Sequence, residues 1–495
     1  MIRIVDVPKG RALADYESYA SLYWAVKEFK TEASIFVPKL EKRKIWMINS
    51  TETGGGVAEM LPRLVSVMRQ LGLNIDWAVM ETDKTAFFNL TKKIHNNIHG
   101  KADPYFSDED REVYEQVNFE NANEFLKMID PDDFVVIHDP QPMGMAKILR
   151  SHHPNLKLIW RCHIGLDEEN EQTMNAWNFL GKYFEFYDHQ VYSAPEYIPK
   201  NLTGHVSVVH PSIDPLTAKS KELTTHRISG ILSNAGLIPD LHPTVTEPFL
   251  AQAQRLQANG EFASPMTPQD IGLLYRPIIT QVSRWDRLKG FFPLIEGFAM
   301  MKKKLDAWNN GPEKLKEPVR ISRLVLAGPD PEAVKDDPEG LEVLNELIDY
   351  YCNLPKEIQD DIALIVLPMK STEENALIVN AIQRCSTVIV QNSLREGFGL
   401  TATEAMWKIK PVMVSNACGL RQQVRDQIDG KMISNAEDPE MIAKTLMEML
   451  ADPNQREIWA SNAQRRVIDN FLIMTHVKNW LSVLDSTLKN TALAD

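Results

Sequence analysis

Two carboxylates, Glu396 and Glu404, stand eight positions apart across the turn Gly397-Phe398-Gly399-Leu400. One of them could accept hydrogen bonds from sugar hydroxyls and the other from a ribose. Between them, the amides of Gly397, Phe398 and Gly399 and the helix start at Leu400 would face an anionic or oxygen-rich ligand. The apolar run Thr387-Val388-Ile389-Val390-Gln391 reads as a buried strand and Leu400 to Lys408 as a helix, so the turn lies at the carboxyl end of a sheet.

A second constellation, Ser283-Arg284-Trp285-Asp286-Arg287-Leu288-Lys289-Gly290, also follows a strand and precedes a helix. Arg284 supplies a planar fork for phosphate oxygens and Lys289 a mobile point charge, a pair suited to neutralising a diphosphate. A basic run is by default a solvated turn; its position at a strand end favours function.

A third, Asn49-Ser50-Thr51-Glu52-Thr53-Gly54-Gly55-Gly56-Val57, follows the first strand of the first half, and Gly54, Gly55 and Gly56 would let backbone approach a ligand closely. The dinucleotide spacing G-x-G-x-x-G is absent, which disfavours a nicotinamide dehydrogenase.

His138-Asp139-Pro140-Gln141-Pro142 and Trp160-Arg161-Cys162-His163 close the next two strands, suggesting a polar substrate pocket. A Cys162–His163 nucleophilic dyad is poor, because adjacent strand residues point to opposite faces. Asp130-Pro131-Asp132-Asp133 precedes its strand and reads as a capped turn, so no metal site is expected.

The elements that position these groups alternate strand and helix twice. Strands are expected at Ile45–Asn49, Ile75–Met80, Phe134–His138, Leu156–Arg161 and Gln190–Ser193, then at Ile278–Ser283, Leu324–Gly328, Leu364–Leu367, Thr387–Gln391 and Pro411–Ser415. The expected fold is α/β: two doubly wound Rossmann-like domains facing each other across a cleft. Residues 1–212 would form the first domain. Residues 213–275 would form an elaborated linker with helical fragments near Phe249 to Gln257. The second domain would span 276–452, and helices in 453–495 would cross back to the first.

The chain has 495 residues, 44% hydrophobic and 24% charged, too many for one core. A net charge of -13 argues against nucleic acid as a partner. Cys162, Cys352, Cys385 and Cys418 lack metal-type spacing and suggest reduced thiols in the cytoplasm. Neither a secretory signal nor a membrane span is expected.

These motifs resemble those of the retaining glycosyltransferases of the GT-B fold, group 1, through nearly the whole chain. Asn49-Ser50-Thr51, Gly54 to Glu59, His138 to Pro142, Trp160 to His163 and Pro211-Ser212-Ile213-Asp214-Pro215-Leu216 are similar to the trehalose synthase branch, shared with retaining trehalose phosphorylases. The resemblance implies that Glu396 holds the donor sugar, Glu404 the nucleotide ribose, Arg284 and Lys289 the diphosphate, and that His163 lies beside the sugar. The acceptor would meet the Gly54–Gly56 loop, Asp139 and Gln141 of the first domain. No cofactor is implied beyond a nucleoside diphosphate-glucose co-substrate, and a homodimer is implied. The sequence departs from the branch at Gly165, where an Asp follows His-Ile, at Cys418-Gly419, where a Gly-Gly pair is usual, and at Asp426-Gln427-Ile428-Asp429-Gly430, in place of an Asp-Gly turn.

The expected reaction is metal-independent transfer of glucose with retention to a small sugar or polyol, glucose giving trehalose. A trehalose phosphorylase would use the same cations for inorganic phosphate without needing Glu404 for a ribose. A non-enzymatic two-lobed sugar-binding protein would need no diphosphate clamp.

Overall fold

Strand register organises the molecule, a computed structural model that describes residues 2–491 apart from 41, 53–54, 201, 240–247, 264–270, 308–312 and 334–338. Contacts divide the chain into two units, Met1–Ser212 with Ile468–Asp495, and Ile213–Val467.

The first unit holds β1 (Ile2–Val5), β2 (Ile45–Asn49), β3 (Ile75–Met80), β4 (Phe134–His138), β5 (Lys157–Cys162), β6 (His189–Tyr192) and β7 (Val206–Val208), in the order β1-β3-β2-β4-β5-β6-β7. All pair in parallel except β1, which runs antiparallel to β3. Every residue of β2 and β4 is buried, which is why both read as continuous apolar runs rather than alternating ones. The C-terminal helix Ile473–Thr491 packs on the helix Tyr23–Leu40, with Lys39 paired to Asp485 at 3.0 Å and Lys478 to Glu32 at 3.4 Å.

The second unit holds β8 (Gln254–Leu256), β9 (Phe262–Ala263), β10 (Ile278–Val282), β11 (Arg323–Pro329), β12 (Ile362–Leu367), β13 (Val388–Gln391), β14 (Val412–Ser415) and β15 (Gly430–Ile433), in the order β15-β14-β13-β10-β11-β12-β8-β9. Side-chain alternation along β10, β11 and β12 feeds two cores. Ile279, Leu324, Leu326, Ile362 and Leu364 join one with Leu294 and Leu446; Ile278, Val325, Ala327, Ala363 and Ile365 join the other with Leu232 and Ile382. Helices thus cover both faces, as a parallel sheet requires.

Every strand expected from the sequence is present, with its ends shifted by at most two residues. The helix expected near Phe249 to Gln257 is not: residues 254–256, Gln-Arg-Leu, form β8, which gains backbone hydrogen bonds by pairing antiparallel with β12. The described part of 213–275 belongs to the second unit and adds the helix Thr225–Asn234 together with the β8–β9 hairpin.

Each sheet has one point where strand order reverses: between β2 and β4 in the first unit, and between β10 and β13 in the second. Ligands of open α/β sheets bind outside the carboxyl ends of strands at such points. Four of the loops singled out by residue chemistry follow these four strands, and the fifth, at His163, follows β5 beside β4.

Candidate functional site

In the second unit, the loop after β10 and the loop after β13 are stitched together by buried amides. Gln281 donates to the carbonyl of Lys289 at 2.8 Å and accepts from the amide of Asn392 at 2.9 Å. Asn392 in turn donates to the carbonyls of Gly290 (3.0 Å) and Ala436 (2.9 Å), and Leu394 N–H donates to Leu288 O at 2.7 Å. Gly290 has φ 63°, and a Cβ there would stand 2.2 Å from Asn392 O, so only glycine lets the two loops touch.

This scaffold brings Lys289 Nζ to 2.7 Å from Glu396 Oε2, an ion pair with side chains only 14% and 12% exposed. Ser393 Oγ donates to the same oxygen at 2.9 Å. Arg284 lies exposed on the same loop, whereas Arg287, which sequence alone does not separate from it, pairs with Glu342 and Glu346 on the helix Glu339–Cys352.

The turn after Glu396 ends at Gly399, whose φ of 82° makes it the left-handed N-cap residue of the helix Leu400–Trp407, a glycine with no side chain of its own to cap it. Phe398 is buried, while a Cβ on Gly397 would meet open space.

Residues that motif reading left without a role hold this turn. Gly419 N–H donates to Glu396 O at 3.1 Å, and a Cβ on Gly419 would stand 2.2 Å from Phe398 Cα. Gln423 donates to the carbonyls of Phe398 and Gly399 and accepts from Thr403 Oγ1. The Cys418-Gly419 departure therefore keeps the glycine that the turn needs. At Asp426 to Gly430, Gln427 takes a φ of 63° and buried Asp429 receives both arms of Arg425, at 2.7 and 2.8 Å.

Glu404, in that helix, is 5% exposed. Lys219 reaches its Oε1 at 3.3 Å, and its Oε2 is buried with no hydrogen-bond partner. A buried carboxylate oxygen left bare is costly unless a donor arrives. One turn on, burial pushes the Lys408 ammonium down to about 7, against the opposing pull of Glu404.

In the first unit, His138 Nδ1 and His163 Nε2 lie 3.0 Å apart with the rings stacked, and His138 Nε2 is 3.4 Å from Met47 Sδ. Burial, reinforced by the Arg161 charge, holds His138 at about 3 and His163 well below its usual range, so both are neutral near pH 7. A thioether only accepts, so His138 carries its proton on Nε2, and His163 Nε2–H donates to His138 Nδ1. The tautomer chain leaves His163 Nδ1 as an acceptor for a hydroxyl.

Asp139 has φ 64°, its carboxylate accepts from His163 N–H at 2.8 Å and its carbonyl from Trp160 Nε1 at 3.1 Å. It orients His163. Burial raises its carboxyl to about 6, against the opposing effects of that amide and of Arg161. Gln141 lines a 280 Å³ cavity with Thr51, Thr82, Phe87, Thr91 and His95, and its Oε1 is buried without a partner.

Gly55 and Gly56 open the helix Gly55–Gln70, and Gly54 lies outside the described residues. Gly165 is fixed by packing, since a Cβ there would stand 2.2 Å from the Tyr197 ring. Cys162 is fully buried, consistent with a core role. Asp133 accepts from Trp46 Nε1 and from the amides of Lys44 and Asp130, each at 3.1 Å, so the acidic run is a capped turn. Among the described residues, no group of three or more His, Cys, Asp or Glu could hold a metal, and no helix is long and apolar enough to cross a membrane.

Two doubly wound sheets with reactive loops at both switch points are the architecture of GT-B glycosyltransferases, and residues 272–466 match the family described as glycosyl transferases group 1. Residues 47–199 match the trehalose synthase N-terminal domain. The trehalose synthase of Thermococcus litoralis is 33% identical over 97% of this chain and 98% of its own length. The trehalose phosphorylase of Pleurotus pulmonarius is 23% identical over 89% of this chain and 57% of its own. Among solved structures, a UDP-forming α,α-trehalose-phosphate synthase from Burkholderia xenovorans superposes with a TM-score of 0.61 at 15% identity, covering 91% of this chain and 99% of that one. The chain belongs to the trehalose synthase family of group 1 glycosyltransferases, enzymes acting on trehalose-related sugars.

Proposed function

We propose that the enzyme transfers glucose, with retention, from a nucleoside diphosphate-glucose to a small sugar or polyol, glucose giving trehalose. The observation that carries this reading is Glu396, held by Lys289 and Ser393 at the β10/β13 switch point, with the bare Oε2 of Glu404 in the helix that follows.

Glu396 accepts from donor-sugar hydroxyls, and Glu404 Oε2 accepts from a ribose hydroxyl. His163 Nδ1 accepts from the donor sugar. Arg284, Lys289 and the amides of Gly397, Phe398 and Gly399 at the helix start stabilise charge growing on the diphosphate, each donor supplying about 2–4 kcal/mol in the transition state. The acceptor hydroxyl attacks from the face that the diphosphate leaves, and the departing phosphate oxygen takes its proton, so no enzyme nucleophile, metal or cofactor is required. Gly55, Gly56, Asp139 and Gln141 belong to the acceptor side, with Asp139 acting through His163. The four thiols are free, which supports a cytoplasmic setting. A homodimer fits the family.

The test is incubation with UDP-, ADP- and GDP-glucose against glucose, fructose, glycerol and glycerate, with product identification. Trehalose formed from glucose supports the reading. Release of glucose 1-phosphate from trehalose and inorganic phosphate, without transfer from any nucleotide sugar, replaces it with the phosphorylase.

A further inference from the structure

The first unit has a second cavity, of 830 Å³, that the transfer reaction does not use. Its volume falls in the roughly 300–1,000 Å³ range of small-molecule sites. Trp177, Phe184 and Tyr187 give it an aromatic floor, and Asn178, Glu185 and Thr203 give it polar groups. The two lysines beside it are already neutralised, Lys200 by Glu169 and Lys182 by Glu115. The Trp177 indole N–H makes no hydrogen bond to protein among the described residues. An anion would find no uncommitted cation here. A pyranose, with C–H faces that stack on aromatic rings and hydroxyls that both donate and accept, matches the lining.

The floor of this cavity is also the support of the Asp139 loop. Trp177 packs edge-on against Trp160 at 6.3 Å, and Phe184 lies 5.4 Å from the same indole. Trp160 Nε1 holds Asp139 O at 3.1 Å, Tyr187 Oη holds Met143 O at 2.7 Å, and Asp139 holds His163 N–H. A ligand stacked on Trp177 would therefore bear on residues 139–143.

We infer that this cavity is a second carbohydrate site, binding a neutral disaccharide and stabilising the 139–143 loop that orients His163. It is independent of the donor and acceptor assignment, because binding is read without turnover. The experiment is calorimetry of trehalose and of maltose into the full chain without nucleotide, on wild type, Glu396→Gln, Trp177→Ala and Asn178→Ala. Saturable binding kept in Glu396→Gln, weakened about tenfold or more in Trp177→Ala and severalfold in Asn178→Ala, is expected. Asn178→Ala decides alone should Trp177→Ala fail to fold. No saturable binding, or binding abolished by Glu396→Gln and untouched in Asn178→Ala, overturns the site. Amide exchange in 139–143 should slow when disaccharide is bound, and unchanged exchange overturns the coupling.

Discussion

Replacing Lys289 with alanine removes the cation nearest Glu396 and, on the mechanism above, one of the groups that balances the departing diphosphate. At 2.7 Å the pair attracts with about 332/(20 × 2.7), or roughly 6 kcal/mol, using an effective dielectric of about 20. Desolvation of two largely buried groups offsets much of this. The kinetic consequence follows the transition-state share, about 2.7–4 kcal/mol, so kcat should fall about 100- to 1,000-fold. The assay is initial-rate kinetics with the preferred nucleotide-glucose at saturating acceptor, beside thermal unfolding to verify folding. A cycle with Glu396→Gln adds a sharper criterion. Groups acting as a unit are non-additive, so the double variant should fall little below the worse single variant. Lys289→Ala with near-normal kcat and an unchanged melting temperature, or fully additive losses, would show that Lys289 and Glu396 do not act together on the departing diphosphate.

Three further outcomes are expected. Arg284→Ala should lower kcat about a hundredfold or more with little loss of stability, since the residue is exposed; normal turnover would remove it from the clamp. Gly419→Ala should destabilise by about 1–3 kcal/mol, because its Cβ would collide with the Phe398 backbone, whereas Gly397→Ala should keep its melting temperature and raise the donor KM; equal stability of the two would contradict the packing. Asp139 has a folded pKa of about 6 against an ordinary 3.8, so the folded state binds its proton more tightly between those values. Its contribution therefore becomes unfavourable as pH rises from about 4 to 6, reaching a cost of about 3 kcal/mol at pH 7. Asp139→Asn, which tolerates the left-handed backbone and still offers His163 N–H an acceptor, should flatten that slope in denaturant melts between pH 4 and 7. An unchanged slope would show that Asp139 is not its source.

The strands and the loops that follow them were legible because each bears its own local signal: β-branched runs for the cores, Gly-rich or charged turns at the carboxyl ends. Glu396, Lys289 and the opening of the helix at Leu400 needed nothing more. The residues that fix them did not announce themselves. Gln281, Asn392, Gly419 and Gln423 act through contacts made across the chain fold, as when Asn392 joins Gly290 to Ala436. Lys219 reaches Glu404 from a segment that composition marks only as polar. A strand of three residues such as β8 is set by pairing with β12, not by its own sequence, and β1 is likewise drawn in by β3. Asp139 was visible as a chemically interesting residue, but its hold on His163 depends on a backbone amide that side-chain identities do not reveal.

We propose that the Glu396–Lys289 turn serves a nucleotide-activated glucose. Proton NMR of the product from the preferred nucleotide-glucose and free glucose tests it most directly. An α,α-linked non-reducing disaccharide is expected, with the signal lost in Glu396→Gln. Product formed at the wild-type rate by Glu396→Gln, or no transfer from any nucleotide-glucose, would contradict it.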